Sequence, residues 1–315
     1  MTISARGSNV RSQHPAAAGF LLVCCDAPRS RLRAAVLLLL LGASSASAYA
    51  QGDPKRGLYI AKAGGCVGCH TEATKDAPAF AGGRALKTPF GTFYGPNITP
   101  HPQAGIGRWT EADFVRAMRH GERPDGANYF PAFPYPSFTR IANDDLRDLW
   151  AYLRSLPPSS RVNQPHDLGF LYGWRPLVTG WKWLFFTAGP IVNDTQLTPA
   201  VNRGRYLVQA LGHCGECHTP RNFLGGPKRD RSLAGGRTPD GKKIPNLTPT
   251  RLKTWSDAEL KEFLLTGATP DGDAASETMD EVIRNTTSQL TPEDLQALIA
   301  YLRTVQPLPE ESKSK

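Results

Sequence analysis

The chain has 315 residues, room for two domains of ordinary size. Charged residues make up 21% and hydrophobic ones 40%, the balance of a soluble globular protein, which excludes a disordered or low-complexity chain. The formal charge of +9 shrinks once residues 1–50 are set aside, since 32 basic and 27 acidic residues then remain. So small an excess gives no footing for binding to nucleic acid, and no nucleic-acid partner is expected.

In chain order, the first feature is an export signal over residues 1–50. Arg29, Arg31 and Arg33 precede the apolar run Ala34 to Leu41, and small residues lead to Ala48-Tyr49-Ala50. A charged region, a short apolar region and an A-x-A site predict cleavage after Ala50 and a periplasmic location. The apolar run is far shorter than the roughly 20 residues a membrane anchor needs. Next comes a short helix around 54–63, leading into Cys66-Val67-Gly68-Cys69-His70, and then a loop rich in glycine and proline. Thr110 is placed to cap a helix from about Glu111 to Arg119, with Trp109 before it and Gly121 after it. A helix over roughly 143–155 carries Leu146, Leu149, Trp150 and Leu153 at helical spacing, a stripe that predicts a core face. Pro157-Pro158 closes the segment.

Residues 158–200 form a linker in which Gly169 to Phe186 is rich in aromatics, including Trp174, Trp181 and Trp183. Arg175 and Lys182 interrupt it, so it is not a spanning helix. Two uses are open: packing over both domains, or docking to a partner or a membrane interface, where Trp and Lys are favoured.

The pattern then repeats. A helix around 202–211 leads to Cys214-Gly215-Glu216-Cys217-His218; Ser256 caps a helix from about Asp257 to Leu265; a final helix runs over roughly 292–304. Arg56-Gly57-Leu58-Tyr59 matches Arg203-Gly204-Arg205-Tyr206, and Ala81-Gly82-Gly83-Arg84 matches Ala234-Gly235-Gly236-Arg237. Pro96-Asn97-Ile98-Thr99-Pro100 matches Pro245-Asn246-Leu247-Thr248-Pro249. A repeat this long means two copies of one domain, 51–157 and 201–309, with a polar tail at 310–315. The fold class expected is all-α.

Beyond Cys24 and Cys25 in the signal, all cysteines lie in the two C-x-x-C-H motifs. That spacing reads as covalent attachment of c-type haem. Thiols three residues apart on one helical turn can each bond one vinyl of a porphyrin, and the next residue offers an imidazole to the iron. Cys66, Cys69, Cys214 and Cys217 are therefore the expected attachment sites of two haem c groups, with His70 and His218 as iron ligands. A disulfide within each pair, a thioredoxin-like redox pair and a zinc site are the competing readings; the second lacks a βαβ pattern and the third lacks ligands at usual spacings.

The motifs, the Tyr94-to-Pro100 loop, Gly105-Ile106-Gly107-Arg108-Trp109-Thr110 and Tyr129 to Tyr135 resemble those of the class I, multi-haem cytochrome c subunits that accompany periplasmic dehydrogenases, including those for alcohols and aldehydes. The resemblance covers residues 55–307. It implies two tandem class I domains and an electron-transfer subunit without independent catalysis, passing electrons from a dehydrogenase subunit to a terminal oxidase or soluble cytochrome. Peripheral membrane association is a further expectation. The best-known members carry three haems, and this chain has two motifs.

Such cytochromes take a methionine as the second axial ligand. Trp109 and Trp255, and the two Pro-Asp-Gly turns at 124–126 and 270–272, are related by a constant offset of 146. Carried onward, that register sets Met279 opposite Phe133 and makes Met279 the expected ligand of the second haem. Phe133 cannot bind iron, so the first haem needs a substitute: Met118, His120, His101 or an open position. Met118 is placed first among these. An open position would favour a second function, a dihaem redox enzyme of the peroxidase or thiosulfate-oxidising kind. A third reading is an adaptor protein with two disulfides.

Overall fold

The computed structural model describes residues 52–310 apart from Leu171 and Pro239, and these belong to one compact unit. The signal and its cleavage site, and all of the polar tail beyond residue 310, lie outside the described residues.

The first half opens with α1 (Pro54–Ala63), whose N-terminal amides are capped by the Asp53 side chain. It is followed by the short α2 (Cys66–His70), α3 (Glu111–His120), α4 (Tyr135–Phe138) and α5 (Asn143–Ser155). Thr110 and Asp113 form a reciprocal capping box on α3, and Gly121 ends that helix in the left-handed conformation. The second half repeats the order. A helix α7 (Pro199–Tyr206) continues through a π turn at Leu207–Leu211 to α8 (Gly215–His218). Then come α9 (Pro249–Leu252), α10 (Asp257–Thr266) with a capping box from Ser256 and Glu259, α11 (Glu277–Asn285) and α12 (Pro292–Thr304). The second opening helix thus begins three residues before the expected 202, because Thr198 caps it and Pro199 suits its first turn.

Each half is closed by its first helix crossing its last. Leu146, Leu149 and Leu153 on α5 and Leu295, Leu298, Ile299 and Leu302 on α12 are all buried, each contributing about 1.5–3 kcal/mol by leaving water. The crossings sit on glycines. A Cβ on Gly57 would overlap the Asp148 carbonyl oxygen, and one on Gly204 would overlap that of Ala297. Beside each crossing runs an ion pair: Arg56 to Asp145 and Asp148, and Arg203 to Asp294.

The fold is helical, as expected, with a few short strands that the sequence did not announce. The first glycine-rich loop folds into an antiparallel hairpin of β1 (Ala85–Thr88) and β2 (Gly91–Tyr94). Gly91 takes a φ of +125°, a region open to glycine, and the chain reverses at Pro89-Phe90. A third strand, β3 (Asp167–Leu168), pairs with β2. A two-residue ladder, β4 (Gly236–Arg237) with β5 (Lys243–Ile244), stands at the matching place in the second half.

Because β3 lies within 158–200, that segment is not separate from the first half. Its helix α6 (Pro176–Phe185) buries Val178 against Phe93 and Phe130. Arg175 donates to the Asn128 carbonyl and sits over the Phe130 ring at 4.8 Å, while Lys182 reaches Asn128 and Glu122. Toward the second half, the Trp181 indole donates to the Leu224 carbonyl at 3.1 Å, and Arg229 donates to the Phe185 carbonyl. No helix among the described residues is long and apolar enough to cross a membrane.

Gly57→Ala or Gly204→Ala is expected to force the crossing helices apart and cost about 1–3 kcal/mol or more. Gly180→Ala is the control: an added Cβ meets nothing within 4 Å, and it should be neutral or stabilise α6 by up to about 1 kcal/mol. Chemical denaturation of the three variants, followed by far-UV circular dichroism, checks both directions.

Candidate haem sites

Each C-x-x-C-H motif forms one helical turn at the end of the opening helix. The turn is held by the repeated loops. The Gly82 amide donates to the His70 carbonyl at 2.7 Å, and the Gly235 amide donates to that of His218 at 2.9 Å. Both glycines take positive φ, +77° and +97°, which lets the backbone fold close over the histidine. Two positions before them, Phe80 and Leu233 are buried at φ of +61° and +62°. Bulky residues at such angles are strained, and the same strain in both halves marks these positions as functional.

The Pro-Asn-x-Thr-Pro loops serve the imidazoles. His70 Nδ1 lies 2.8 Å from the Pro96 carbonyl oxygen, and His218 Nδ1 lies 2.8 Å from that of Pro245. A carbonyl only accepts, so Nδ1 carries the proton and Nε2 keeps its lone pair for a metal. Burial lowers the pKa of both rings, with the carbonyl bond opposing it, so both are neutral at pH 7. The loops are anchored by Asn97, which donates to the carbonyls of Ser159 and Arg161, and by Asn246, which donates to that of Leu308.

The four thiols are unpaired. Burial pushes Cys66 up to about 12, Cys69 to about 11 and Cys214 to about 12, and also raises Cys217. Thiols held neutral in this way are poor nucleophiles and poor ligands for a dissolved metal ion. The donor set in each half is thus two neutral, unpaired thiols on one turn with one oriented imidazole. That set fits a haem bound by two thioethers and one axial nitrogen. A further sign is the Tyr135 hydroxyl, fully buried without a hydrogen-bond partner, where a satisfied hydroxyl is the rule.

The structure sorts the expected second axial ligands. Met118 is buried on α3 in the core cluster that Cys66 packs against. His120 is exposed at the end of α3. His101 Nδ1 accepts from the amides of Gln103 and Ala104, which fixes that ring in its own loop. Phe133 packs among Tyr129, Tyr135 and Phe138, at ring distances of 5.4, 6.3 and 5.8 Å.

Met279 lies in the first turn of α11 rather than in an open loop, half-buried against the core. The constant register that set it opposite Phe133 holds up to the residues just before α11 and changes by the closing helices. Matching hydrogen bonds, Tyr129 to Gly121 and Ala275 to Gly267, keep the offset of 146. The closing helices α5 and α12 stand at 149, with Asp145 matching Asp294. The second half has gained three residues between these points, in the stretch that holds α11.

α11 also has a role that sequence reasoning missed. Its Glu281 and Asn285 face the first motif, within 4 Å of where a Cβ on Gly68 would stand, and Glu281 pairs with Arg84 at 2.6 Å. Met279, two residues from Glu281, is on the other face of the helix. In the first half, Ser137 donates to Glu216 of the second motif at 2.6 Å, and the Phe138 ring stacks on His213 at 5.3 Å. Also missed were Tyr59, Tyr206, Asp145 and Asp294, which bond between the halves. The repeated Arg-Gly-x-Tyr carried the signal, without saying what the tyrosines touch.

Residues 55–157 and 201–306 match the model of the family described as cytochrome c. A diheme cytochrome c-type protein of Cereibacter sphaeroides is 48% identical over 81% of this chain and 86% of its own length. The fructose dehydrogenase cytochrome subunit of Gluconobacter japonicus is 39% identical over 79% of this chain and 52% of its own. The cytochrome c subunit of the quinone alcohol dehydrogenase of Gluconobacter oxydans is 37% identical over 89% and 61%. The chain therefore spans most of the first relative and between half and two-thirds of the other two.

Met118→Leu is expected to keep the core volume and the fold, and to lower the potential of the first haem only if Met118 is its ligand. Met279→Ala is expected to change the spectrum and lower the potential of one haem only, since loss of methionine ligation lowers the potential. Absorption spectra and redox titrations of both variants check the two outcomes, and unchanged potentials in Met279→Ala would remove that residue from the ligand set.

Proposed function

From the premise that this chain belongs to the cytochrome c family and carries two covalently bound haem c groups, we propose that it is the periplasmic electron-transfer subunit of a dehydrogenase, built as two tandem class I domains. Cys66 and Cys69 hold one haem and Cys214 and Cys217 the other, with His70 and His218 on the irons. The observation that carries this reading is the pairing of each imidazole Nδ1 with a proline carbonyl, beside two unpaired thiols on the same turn. When bound, haem supplies a one-electron couple. The chain orients the ligand, shields the macrocycle from water and fixes the distance between sites. Met279 is the second ligand of the second haem. Met118 takes that place at the first, because it is buried with Cys66 in one core whereas His120 faces solvent.

Electrons enter from a dehydrogenase subunit and leave to a terminal oxidase or soluble cytochrome. The names of the relatives support the first step. The linker provides the docking face. Phe170, Trp174, Leu177, Trp183 and Leu184 are exposed, and α6 shows apolar residues on its outer side as well as its inner one. A helix apolar all round in a soluble protein marks a surface that something covers. A dehydrogenase subunit is the covering partner here, with a membrane surface as the other outcome of the test.

A second reading, a dihaem redox enzyme, draws on Phe133, whose ring stands in the Pro-Ala-x-Pro-Tyr segment in place of a ligand. Carbon monoxide distinguishes the two. Under the transfer reading both reduced haems are inert to it, whereas ready binding at one haem together with peroxide turnover would favour the enzyme.

Replacing Cys66 and Cys69 by serine is expected to leave one covalent haem per chain after denaturing electrophoresis and haem staining, as is replacing Cys214 and Cys217. Retention of two haems in either double variant would defeat the site assignment. Trp174→Ser with Trp183→Ser should leave the haem spectra unchanged and weaken association with the dehydrogenase subunit about tenfold or more, since exposed tryptophans at interface centres are worth about 2 kcal/mol or more; binding of the variant to vesicles of anionic phospholipid is measured alongside.

A further inference from the structure

The two halves meet through a reciprocal pair of hydrogen bonds. Tyr59 on α1 donates to Asp294 Oδ2 on α12 at 2.5 Å and accepts from the Thr291 amide at 3.3 Å. Tyr206 on α7 donates to Asp145 Oδ2 on α5 at 2.6 Å and accepts from the Ala142 amide at 3.1 Å. Each tyrosine thus binds the first turn of the other half's closing helix. Each aspartate in turn is paired with the arginine of its own half, Arg203 with Asp294 and Arg56 with Asp145. The motif for each half, Arg-Gly-x-Tyr, therefore has a division of labour. Its arginine closes the half it belongs to, its glycine lets the helices cross, and its tyrosine reaches across.

These bonds lie on the helices that carry the Cys-x-x-Cys-His turns. Tyr59 is seven residues before Cys66 and Tyr206 eight before Cys214, a difference of one residue in a stretch that holds the π turn at Leu207–Leu211. Nearer the turns, the contacts between halves are smaller: Gly65 and Gly68 against Thr286 and Asn285, and His213 and Glu216 against Phe138 and Ser137. A slide or rotation of one half on the other would be resisted by the two tyrosine bridges together with the bonds of Ser137 to Glu216, Arg84 to Glu281 and Arg140 to Gln209, and it would change the separation of the turns. A hydrogen bond to a carboxylate is stronger than one between neutral groups, and both tyrosine bridges end on carboxylates.

We propose that Tyr59 and Tyr206 are positioning residues for electron exchange between the two haem sites, holding the Cys-x-x-Cys-His turns of the two halves at one separation and orientation. The proposal rests on the reading that these two turns carry the haems. Electron tunnelling falls off exponentially with separation, so a change small on the scale of the fold is large in rate. Removing a hydroxyl would leave Arg203 with Asp294 and Arg56 with Asp145, so each half keeps its own closure while the tie between them is lost.

The test uses the full, haem-loaded chain and the variants Tyr59→Phe, Tyr206→Phe and the double. The control is Tyr301→Phe, whose hydroxyl bonds to Gln209 inside the second half. Exchange between the haems is followed by transient absorption after flash photoreduction, together with haem content, spectra and midpoint potentials. The double variant is expected to exchange several-fold more slowly, since tunnelling falls off exponentially with the separation of the two sites. Each single variant should lie between, Tyr301→Phe should match the unmodified chain, and all should keep two haems with unchanged potentials. Exchange in the double variant within about twofold of the unmodified chain would overturn the proposal, as would a slowing accompanied by shifted potentials, which would place the effect inside a haem site. If the cysteine-to-serine pairs left both haems attached, the site assignment would fail instead, and the two failures are separate measurements.

Discussion

The crossing of the first helix of each half over its last is the constraint on which the rest of the structure depends. It requires a glycine on the first helix, because the Gly57 and Gly204 backbones lie directly against the Asp148 and Ala297 carbonyls. It requires a buried leucine stripe on the last helix, and it brings Arg56 and Arg203 onto the carboxylates of α5 and α12. With the crossing made, the first helix can end only beside the core, and the Cys-x-x-Cys-His turn follows at once. The loops from Phe80 to Pro100 and from Leu233 to Pro249 then wrap that turn and bind its histidine.

The carboxylates at the crossings do two jobs. Asp294 is buried, which disfavours its charge, but hydrogen bonds from Arg203 and Tyr59 and the charge of Arg203 outweigh burial and hold its pKa below the usual carboxylate range. A depressed carboxylate adds stability above its unfolded pKa, near 3.9, and that stability is lost as pH falls through the folded value. The tie between the halves is therefore intact at neutral pH and weakens in acid. It also consumes both oxygens of Asp294, which explains why an aspartate in a first turn is used for more than the helix dipole.

The two halves are copies with unequal faces. At the residue before the first cysteine, Gly65 and His213 are both left-handed, at φ of +60° and +40°. In the first half Thr286 presses against that position and leaves room for glycine alone; in the second, the ring of Phe138 stacks on His213 and holds it there. The segment after Tyr129 ends in an aromatic box around Phe133, whereas its counterpart gains three residues and holds α11. One insertion thus supplies Met279 on one side of a helix and, on the other, Glu281 and Asn285 against the neighbouring motif.

Much of this was open to inspection in the sequence. The C-x-x-C-H spacing names the cofactor, because two thiols and an imidazole on one turn suit a porphyrin edge and little else. Capping boxes at Thr110 and Ser256 and the leucine stripes of α5 and α12 are local patterns, and the helices stand where those patterns put them. The remainder depended on groups far apart in the chain. The hairpin at 85–94 is completed by a strand from 167–168, which no local pattern announces. The offset between the halves changes between Tyr129 and α5, in a stretch whose two copies fold differently. The choice of Pro96 and Pro245 carbonyls as partners of His70 and His218, and the reach of Tyr59 to Asp294 across 235 positions, come from the folding of one half on itself and on the other. Local chemistry determined what the chain binds; only the packing of distant segments decided how its two sites face each other.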